Sequence, residues 1–411
     1  MSSSEVVVVG AGMAGLACAV ELTRRGVDVV VLEASDAVGG RIRTDRLDTM
    51  RLDRGFQLLN PAYPALDGMV ELDALDLKPF GAGVVVASGG ERTVLADPRR
   101  SPADLAGAFS SASGSLLEKA RFASYVARTA VGSGQHLKSR PDERYGAVLD
   151  AAGIDGRLRR RVLDPFLAGV LGEDEQESSR IFVDLQLRMF ARGTPSVPAA
   201  GMQAIPDQVA ARLPAGTVHL GVTVTSVGDK TVRTDSGTWR GAAVVVATGG
   251  PSASVLTGLP SPRMRALTTF YHHAEHSPAS RRLLHVDGDR DGPVVNTAVM
   301  SDAAPTYCSD GALVSSTILG AAQDADTRSA VTRQLGRIYG VDPSSWELVA
   351  TYAIAEALPA MLPPLDLRQP VALGDGLYVA GDHRDSASIQ GAIVSGRRAA
   401  AAVLGAVGGS G

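Results

Sequence analysis

Three glycines near the start of the chain have a spacing that could bind phosphate. They form a Gly-x-Gly-x-x-Gly pattern made of Gly10, Gly12 and Gly15. The first permits a tight turn out of a strand, the second lets backbone approach a pyrophosphate, and the third lets a helix pack closely on a strand. Phosphates would lie at the helix N-terminus, where free N–H groups and the helix dipole stabilise them. Because the chain contains 46 glycines, the triplet alone is also compatible with an ordinary tight turn.

The elements around the triplet match the βαβ unit that this chemistry requires. Val6–Val9 is a β-branched run typical of a buried strand, and Gly26 lies where the following helix should end. Val27–Leu32 predicts a second strand ending at Glu33, 18 residues after Gly15. There the Glu33 carboxylate can accept hydrogen bonds from ribose hydroxyls, and it disfavours the 2′-phosphate of NADP.

A second glycine-rich loop indicates which of the two common dinucleotides, a nicotinamide dinucleotide or FAD, the chain binds. Within Val38–Thr44 the chain reads Gly39-Gly40-Arg41. A simple nicotinamide dehydrogenase has no need of this loop. With FAD, the glycine pair lets backbone approach the dinucleotide, and Arg41 can bind the pyrophosphate through its forked guanidinium. The alternative is a solvent-facing arginine in a flexible loop. We therefore predict FAD as the cofactor.

The bulk composition indicates an ordinary globular chain of two or three domains. Its 411 residues are 45% apolar and 20% charged, and a net charge of −4 gives no reason to expect a nucleic-acid partner. Cys18 and Cys308 are too few for a disulfide framework or a four-thiolate metal site. No apolar run approaches a membrane span, and the N-terminus lacks the pattern of a signal peptide. We expect a cytoplasmic protein with no integral membrane segment and no metal. The oligomeric state cannot be read from the sequence.

The rest of the chain predicts alternating blocks of strand and helix. The predicted strands are a hairpin around Gly89-Gly90 and the segments 218–227, 231–234, 243–247 and 371–380. Residues 101–192 are predicted to be mainly helical, 268–352 to alternate between strands and helices, and 391–404 to form a final helix. We expect the Gly/Ser tail beyond it to be disordered.

Six stretches of the sequence resemble the superfamily of flavin-containing amine oxidases, protoporphyrinogen oxidases and phytoene-desaturase-like enzymes. Their order and spacing fit, and they span both ends of the chain. The stretches are Val9–Leu16, Leu32–Ala34, Val38–Thr44, Leu52–Leu58, Gly376–Asp382 and Ser388–Ala399. The resemblance implies an α/β fold, in which a Rossmann-like FAD-binding domain of the amine oxidase type carries an interleaved α+β substrate domain.

The resemblance also implies how this domain division maps onto the chain. The FAD-binding domain would be discontinuous and would comprise residues 1–79, 201–256 and 368–411. The substrate domain would comprise residues 80–200 and 257–367. Composition shifts near Phe80, Gly201, Pro251 and Leu367 fit that interleaving independently.

Roles for individual positions follow from the same resemblance. Glu33 would hold the ribose and Arg41 the pyrophosphate, Val224 would contact adenine through its backbone, and Asp382 would face the ribityl–diphosphate region. Asp382 could instead simply cap the last helix. The full set of expected FAD-binding residues is Gly10, Ala11, Gly12, Met13, Ala14, Gly15, Glu33, Ala34, Gly40, Arg41, Gly55, Phe56, Gln57, Leu58, Val224, Gly381, Asp382, Ser388, Ile389 and Gln390.

The start of the last helix has a physical reason to lie near the flavin. Ile389 and Gln390 would begin a helix aimed at the flavin N1–C2=O edge. Reduced flavin carries negative charge there, and a helix N-terminus stabilises that charge. Backbone at Gly55–Leu58 would lie along the flavin, although Phe56 could also be ordinary core.

The sequence departs from the amine oxidases of the superfamily at three points. They often use a lysine water-bridged to flavin N5, whereas no lysine follows Lys230 here. Many place an aromatic residue where this chain has Ser388. Some carry flavin on a cysteine, and no cysteine lies near the closing motif. We therefore predict non-covalent FAD, a site unlike that of monoamine oxidases, and slow reaction with oxygen.

Three side chains are weak candidates for a part in the chemistry. Gln57 lies in the motif expected beside the flavin. Tyr271 and His273 lie in a dense titratable run, and strand alternation would put them on one face, with His272 on the other. A surface strand with unrelated histidines is the favoured alternative. A metal site is disfavoured because histidines adjacent in a strand point apart. A covalent flavin link through His383 is a remote alternative.

We predict an FAD-dependent oxidoreductase that removes a hydride from a C–N or C–C bond of a small organic substrate. Amine oxidation is slightly preferred. The alternatives are a carotenoid- or porphyrinogen-type desaturase and a non-redox flavin-dependent isomerase or FAD-binding protein. The sequence identifies neither the substrate nor the electron acceptor.

Overall fold

The computed structural model describes residues 2–3, 5–97, 100–101, 107 and 109–407. Its strands are β1 (Ser2–Ser3), β2 (Val6–Val9), β3 (Val29–Leu32), β4 (Thr44–Leu47), β5 (Met50–Asp53), β6 (Leu77–Pro79), β7 (Gly83–Ser88), β8 (Glu91–Ala96), β9 (Ser196–Pro198), β10 (Val218–His219), β11 (Val224–Gly228), β12 (Thr231–Thr234), β13 (Thr238–Arg240), β14 (Ala243–Val246), β15 (Met264–Ala274), β16 (Leu284–Asp287), β17 (Val294–Val299), β18 (Ala312–Leu319), β19 (Glu347–Pro359), β20 (Ala372–Gly374) and β21 (Leu377–Val379). Its α-helices are α1 (Met13–Thr23), α2 (Leu116–Ala130), α3 (Gly134–Lys138), α4 (Tyr145–Ala151), α5 (Asp164–Leu171), α6 (Arg180–Arg192), α7 (Ala204–Ala210), α8 (Gly250–Thr257), α9 (Met300–Ala303), α10 (Ala325–Tyr339) and α11 (Ile389–Val407).

A six-stranded sheet collects strands from the start, the middle and the end of the chain. Its order is β10-β3-β2-β14-β21-β20, and all neighbours are parallel except β21 and β20. The central strands β2, β3 and β14 are buried along their whole length, which explains their runs of valine. Because parallel strands end at the same edge, the loops after β2, β14 and β21 lie side by side.

Helices α1 and α11 pack closely together, although they come from opposite ends of the chain. A Cβ on Gly396 of α11 would lie 2.2 Å from the carbonyl oxygen of Ala14 in α1. Glycine at that position therefore permits the close approach of the two helices. The same core contains the buried side chains of β2 and α1, including Cys18, whose burial raises the pKa of its thiol.

A seven-stranded sheet lies beside the first and is mainly antiparallel. Its order is β19-β15-β18-β17-β16-β7-β8. One face packs on α10, where Phe270 of β15 and Val314 of β18 belong to one buried cluster with Leu335. The other face lies toward α5, since a Cβ on Gly169 of α5 would overlap the amide nitrogen of Asn296 in β17. This second face bears on function.

Most predicted elements are present, and three predictions were wrong in detail. Residues 371–380 form the hairpin β20–β21 rather than one strand, because Asp375 and Gly376 both have positive φ (49° and 78°). Asp-Gly is a strong signal for a two-residue hairpin turn. Segment 218–227 is interrupted at Gly221, whose φ is +70°. The last helix runs to Val407, so the tail expected after Leu404 is helical for three residues, and residues 408–411 lie outside the described part.

The division into two interleaved domains stays a prediction, although the sheets are compatible with it. Strands of the six-stranded sheet come from residues 6–32, 218–246 and 372–379. Among the described residues, no helix is long and apolar enough to cross a membrane.

Candidate functional site: a dinucleotide cradle at the sheet edge

The glycine triplet forms the turn between β2 and α1, and its three members have different surroundings. Gly10 has φ +102°, and a Cβ there would lie 2.9 Å from the Ala247 carbonyl oxygen. A Cβ on Gly15 would lie 1.9 Å from the Gly10 carbonyl oxygen. A Cβ on Gly12, by contrast, would have no atom of the described residues within 4 Å. The protein therefore fills the space at Gly10 and Gly15 and leaves open the space at Gly12, as a pyrophosphate site requires.

The carboxylate at the end of β3 is held in place beside this turn. Glu33 is half-buried, and its Oε2 accepts a hydrogen bond from the backbone N–H of Ala11 at 2.7 Å. Its Oε1 accepts from the backbone N–H of Ser35 at 2.9 Å and from the Ser35 hydroxyl at 2.6 Å. Ala34 between them is exposed. Each carboxylate oxygen has further acceptor capacity, which suits ribose hydroxyls.

The second glycine loop lies against the first. The N–H of Gly39 donates to the Ala11 carbonyl at 2.8 Å, and a Cβ on Gly40 would lie 3.3 Å from the Cα of Gly12. The two predicted nucleotide-binding loops, residues 10–15 and 39–41, therefore form one surface, which together with Glu33 we call the cradle. Met13 and Ala14, also predicted to bind the cofactor, begin α1 with their side chains in the core, so only their backbone can contribute.

Arg41 joins this surface to the closing segment of the chain. Its Nη2 forms an ion pair with Asp382 Oδ1 at 2.6 Å, and its Nη1 donates to the Ala357 carbonyl at 2.7 Å. Asp382 is largely buried, whereas the Arg41 side chain is 37% exposed. Arg41 is thus fixed rather than free in solvent, and its loop neighbour Gly40 lies against Gly12. Asp382 does not accept a helix-capping hydrogen bond from α11, since Ser388 has that role.

The segment Gly55–Leu58 connects the cradle to the seven-stranded sheet. Gly55 has φ +102°, and the Phe56 N–H donates to the Thr269 hydroxyl of β15 at 3.1 Å. The side-chain amide of Gln57 donates to the carbonyl oxygens of Arg41, at 2.7 Å, and Arg54, at 3.1 Å. Gln57 therefore links the loop that contains Arg41 to the segment that contains Arg54. Phe56 contacts Phe80 edge to face, with ring centroids 6.2 Å apart.

The closing helix α11 begins as predicted. The Ser388 hydroxyl accepts a hydrogen bond from the Gly391 N–H at 3.1 Å, which makes Ser388 the N-cap residue. The Ile389 and Gln390 N–H groups follow within the first turn, where N–H groups lack helical partners. The Gln390 side chain itself accepts from the Ala65 N–H at 2.8 Å, so it ties the helix to another loop.

The remaining predicted positions lie at varying distances from this cradle. Val224 begins β11, close behind Val222, whose N–H donates to the Glu33 carbonyl at 2.9 Å. Gly381 precedes Asp382, and its N–H donates to the Ser395 hydroxyl at 2.9 Å. The structure therefore brings together the predicted FAD-binding residues from all six stretches. Their roles in binding remain proposals.

The candidates Tyr271 and His273 in β15 both have partners in the protein backbone. Tyr271 is fully buried, and its hydroxyl donates to the Asp53 carbonyl at 2.9 Å. A ring nitrogen of His273 lies 2.6 Å from the Asp310 carbonyl oxygen, at the far end of the strand. His272 lies on the opposite face, with its ring near Trp346. Tyr271 and His273 are therefore both bound to backbone carbonyls of other segments.

Sequence reasoning missed a buried carboxylate beneath this site. Asp53 accepts hydrogen bonds from the Thr44 hydroxyl (2.5 Å), the Tyr307 hydroxyl (2.7 Å) and the Met202 N–H (3.0 Å). Burial raises its pKa to about 6, against the effect of these three donors. Its position in the stretch Leu52–Leu58 was the available signal, but the partners from distant segments could not be foreseen.

The architecture and the cradle together are those of a dinucleotide-binding α/β protein. The residues present fit FAD: the space at Gly12 is open, a held carboxylate follows β3, and Arg41 is fixed in the loop that packs on Gly12. A comparison with family models matches residues 13–404 to the flavin-containing amine oxidoreductases. The chain belongs to this family, and it is an FAD-dependent oxidoreductase with the fold of the amine oxidases.

Individual relatives match over short stretches. Putrescine oxidase of Kocuria rosea is 41% identical over 93 residues, which are 21% of this chain and 19% of that protein. Hydroxyneurosporene desaturase of Cereibacter sphaeroides is 62% identical over 40 residues, 10% of this chain and 8% of that protein. The structure of cyclohexylamine oxidase from Brevibacterium oxydans has a TM-score of 0.71 over 98% of this chain and 99% of that one, at 18% identity. The chain thus matches less than a fifth of either curated relative, and the structural likeness concerns the fold.

Proposed function

We propose that this protein oxidises the C–N bond of an uncharged amine. Bound FAD supplies the hydride acceptor, at its N5 atom. The observation that carries the proposal is a row of uncharged polar side chains across four strands of the seven-stranded sheet. Strand register pairs them in the order Tyr352, Thr269, Thr317 and Asn296. Paired residues share a face, so the row is continuous.

This row lies next to the segment Gly55–Leu58. The Thr269 hydroxyl accepts the hydrogen bond from Phe56, and the Tyr352 hydroxyl donates to Asp45 at 2.9 Å. The neighbouring row on the same face is apolar and consists of Ile354, Leu267 and Leu319. Ile354 lies 3.0 Å from where a Cβ on Gly55 would be. A substrate above the flavin would therefore contact hydroxyls, an amide and aliphatic groups.

Two polar groups of this row have no partner among the described residues. Asn296 Oδ1 and Thr317 Oγ1 are buried, and neither takes part in a hydrogen bond there. Leaving such groups unsatisfied is costly, roughly 1–3 kcal/mol each. The N–H of a bound amine would satisfy an acceptor, whereas a hydrocarbon would not. This difference favours amine oxidation over desaturation.

The uncharged surroundings also suit the protonation state that the reaction needs. A C–H bond next to nitrogen gives up a hydride when the nitrogen lone pair is free, so the reactive amine is neutral. An uncharged, desolvated pocket disfavours the ammonium form. The side chains of this face bind and orient the neutral amine without a charged base among the seven residues of the two rows.

FAD would be held by the residues already described. The open backbone at Gly12 and Gly40 with Arg41 would bind the pyrophosphate, and Glu33 would bind the ribose. Asp382 would keep Arg41 in place. The N-terminus of α11 would stabilise negative charge on the ring. We also propose that residues 1–79, 201–256 and 368–411 form the FAD domain, with the row above belonging to the substrate domain.

Carbon–carbon desaturation is the second candidate function. The apolar row of Ile354, Leu267 and Leu319 supports it, and so does the relative that desaturates hydroxyneurosporene. A non-redox function is the third and would leave the flavin oxidised during turnover.

Anaerobic mixing of the FAD-loaded protein with three substrate classes tests these alternatives. We expect primary or secondary amines to bleach the flavin absorbance, with a rate that rises with pH as the free amine becomes neutral. Bleaching by a porphyrinogen or a polyene but by no amine would overturn the proposal. Absence of bleaching by any of the three would favour the non-redox candidate.

Two variants in strand β18 test whether this face of the sheet binds the amine. Thr317→Val keeps the shape of the side chain and removes its hydroxyl. We expect it to raise the amine concentration for half-maximal reduction about 3- to 10-fold, the value of one hydrogen bond. Ser316→Ala is the matched control, because its hydroxyl is equally buried and unpartnered but faces away on the adjacent position. Equal effects of both changes would argue against recognition by this face.

A further inference from the structure

We propose that the imidazole of His383 is a ligand of bound FAD. The side chain is only 7% exposed, yet neither Nδ1 nor Nε2 has a hydrogen-bond partner in the part of the chain that the structure describes. Buried polar groups in folded proteins nearly always have at least one partner. Two unpartnered nitrogens on one buried ring therefore point to a group that binds there. The inference rests on FAD binding and is independent of the substrate proposed above.

The ring lies at the edge of the six-stranded sheet where the nucleotide cradle is. It follows β21, while Gly10 follows β2 and Gly250 lies after β14. A Cβ on Gly381 would lie 2.3 Å from His383 Cε1, and a Cβ on Gly250 would lie 3.5 Å from His383 Cγ. The imidazole thus occupies the space between two loops at the carboxyl edge of parallel strands, the position at which α/β sheets bind their ligands.

His383 is also joined directly to the cradle through its neighbour. Asp382 forms the ion pair with Arg41, and Arg41 belongs to the loop that packs on Gly12. A hydrogen-bonding group next to Asp382 therefore lies beside the surface that holds the dinucleotide. The alternative, a purely structural ring, would require two missing hydrogen bonds at a buried site.

The protonation state indicates which part of the cofactor the ring binds. Burial lowers the pKa of His383 to about 4, although the nearby Asp382 acts in the opposite direction. The ring is therefore neutral near pH 7, with one nitrogen that donates and one that accepts. A hydroxyl group can both accept and donate, whereas a phosphate only accepts. The hydroxyls of the ribose and of the ribityl chain both match this pair. Because we assign Glu33 to the ribose and the neighbouring Asp382 to the ribityl–diphosphate region, we assign His383 to a ribityl hydroxyl.

Titration of the apoprotein with FAD, followed by flavin fluorescence, tests the proposal. We expect His383→Leu to raise the Kd of FAD about tenfold, which corresponds to one lost hydrogen bond of ~1.4 kcal/mol. His383→Gln keeps a donor and an acceptor, so its Kd should stay within about threefold of the wild-type value. His272→Leu is the matched control. His272 is buried, its Nδ1 is unpartnered, and its pKa is also lowered to about 4, but it packs near Trp346 on the far face of the other sheet.

The pattern across the three variants decides between binding and structure. A wild-type Kd in a folded His383→Leu variant would overturn the proposal, and so would an equal loss in His272→Leu. The second readout is ¹⁵N NMR of histidine-labelled wild-type protein, which does not depend on how a leucine variant folds. FAD should shift the ring nitrogens of His383, identified by their absence from the Gln variant, and leave those of His272 unchanged. Ring nitrogens of His383 that do not respond to FAD would also refute the inference.

Discussion

Alanine at two neighbouring glycines should separate cofactor binding from folding. Gly12→Ala places a methyl group where the protein has no atom within 4 Å, and the backbone at Gly12 (φ −70°, ψ 174°) is accessible to alanine. Gly15→Ala places a methyl group 1.9 Å from the Gly10 carbonyl oxygen. The first change therefore meets only the ligand, whereas the second meets the protein itself.

The magnitudes follow from these distances. Real Cβ atoms essentially never approach within 3.0 Å, so α1 and β2 of Gly15→Ala must separate by about 1 Å. Overpacking of this kind typically costs about 1–3 kcal/mol. In Gly12→Ala, the reduced entropy of the unfolded chain contributes about 0.4–1 kcal/mol, and the poorer N-cap offsets it. We expect an unchanged Tm for that apoprotein, and an FAD affinity lowered at least tenfold because the methyl group occupies the pyrophosphate space.

Thermal unfolding of the apoproteins and FAD titration measure both quantities. Gly228→Ala is the control, because a Cβ there also meets no atom within 4 Å and the residue lies on β11, away from the cradle. It should change neither value. Wild-type FAD affinity in Gly12→Ala would refute the placement of the pyrophosphate, and a wild-type Tm in Gly15→Ala would refute the close packing of strand and helix.

Four further predictions follow from the site. Glu33→Ala and Arg41→Ala each remove charge-assisted hydrogen bonds of about 1.5–3 kcal/mol. Each variant should therefore bind FAD about tenfold more weakly, or worse, when the apoprotein is titrated. Unchanged FAD affinity in both variants would show that the proposed position of the cofactor is wrong. Acid precipitation should release the flavin into the supernatant, and yellow colour retained in the pellet would show a covalent link. Reduced enzyme should react slowly with oxygen in stopped-flow mixing, because no lysine follows Lys230, and fast reoxidation with stoichiometric peroxide would refute this reasoning. Burial raises the pKa of Asp53 to about 6, above its ordinary 3.8, so ionisation between about pH 4 and 6 destabilises the native state. Asp53→Asn should therefore gain stability relative to wild type as pH rises through that window, and an equal difference in urea unfolding at pH 4 and pH 7 would contradict it.

Local patterns were sufficient to predict the cradle. The valine run of β2, the glycine triplet, helix α1 and the carboxylate after β3 lie within about thirty residues, and each step of that unit is short-range. Its chemistry depends on backbone that only glycine permits, so the residue types themselves report the conformation. The hairpin at Asp375-Gly376 is equally local, because an Asp-Gly pair is itself a strong signal for a two-residue turn.

The partners of these residues were decided only by the tertiary structure. Arg41 reaches Asp382 and the Ala357 carbonyl, which is 316 residues away in sequence, and no pattern in either segment specifies that pairing. The lack of hydrogen-bond partners for the His383 ring nitrogens was likewise decided by the tertiary structure. The ring is buried between two loops that follow different strands, β14 and β21.

The sequence alone also could not predict which face of the sheet each strand residue occupies. Asn296 and Thr317 share a face because a bulge shifts the register between Val294 and Asn296, and one inserted residue reverses the parity of every side chain after it. Alternation along the sequence gives two possible faces, and only the register across neighbouring strands selects between them. The sequence by itself therefore determined the cofactor and the family. The tertiary structure decided which polar groups meet on one face of the seven-stranded sheet, because strand pairing brings them together from distant segments.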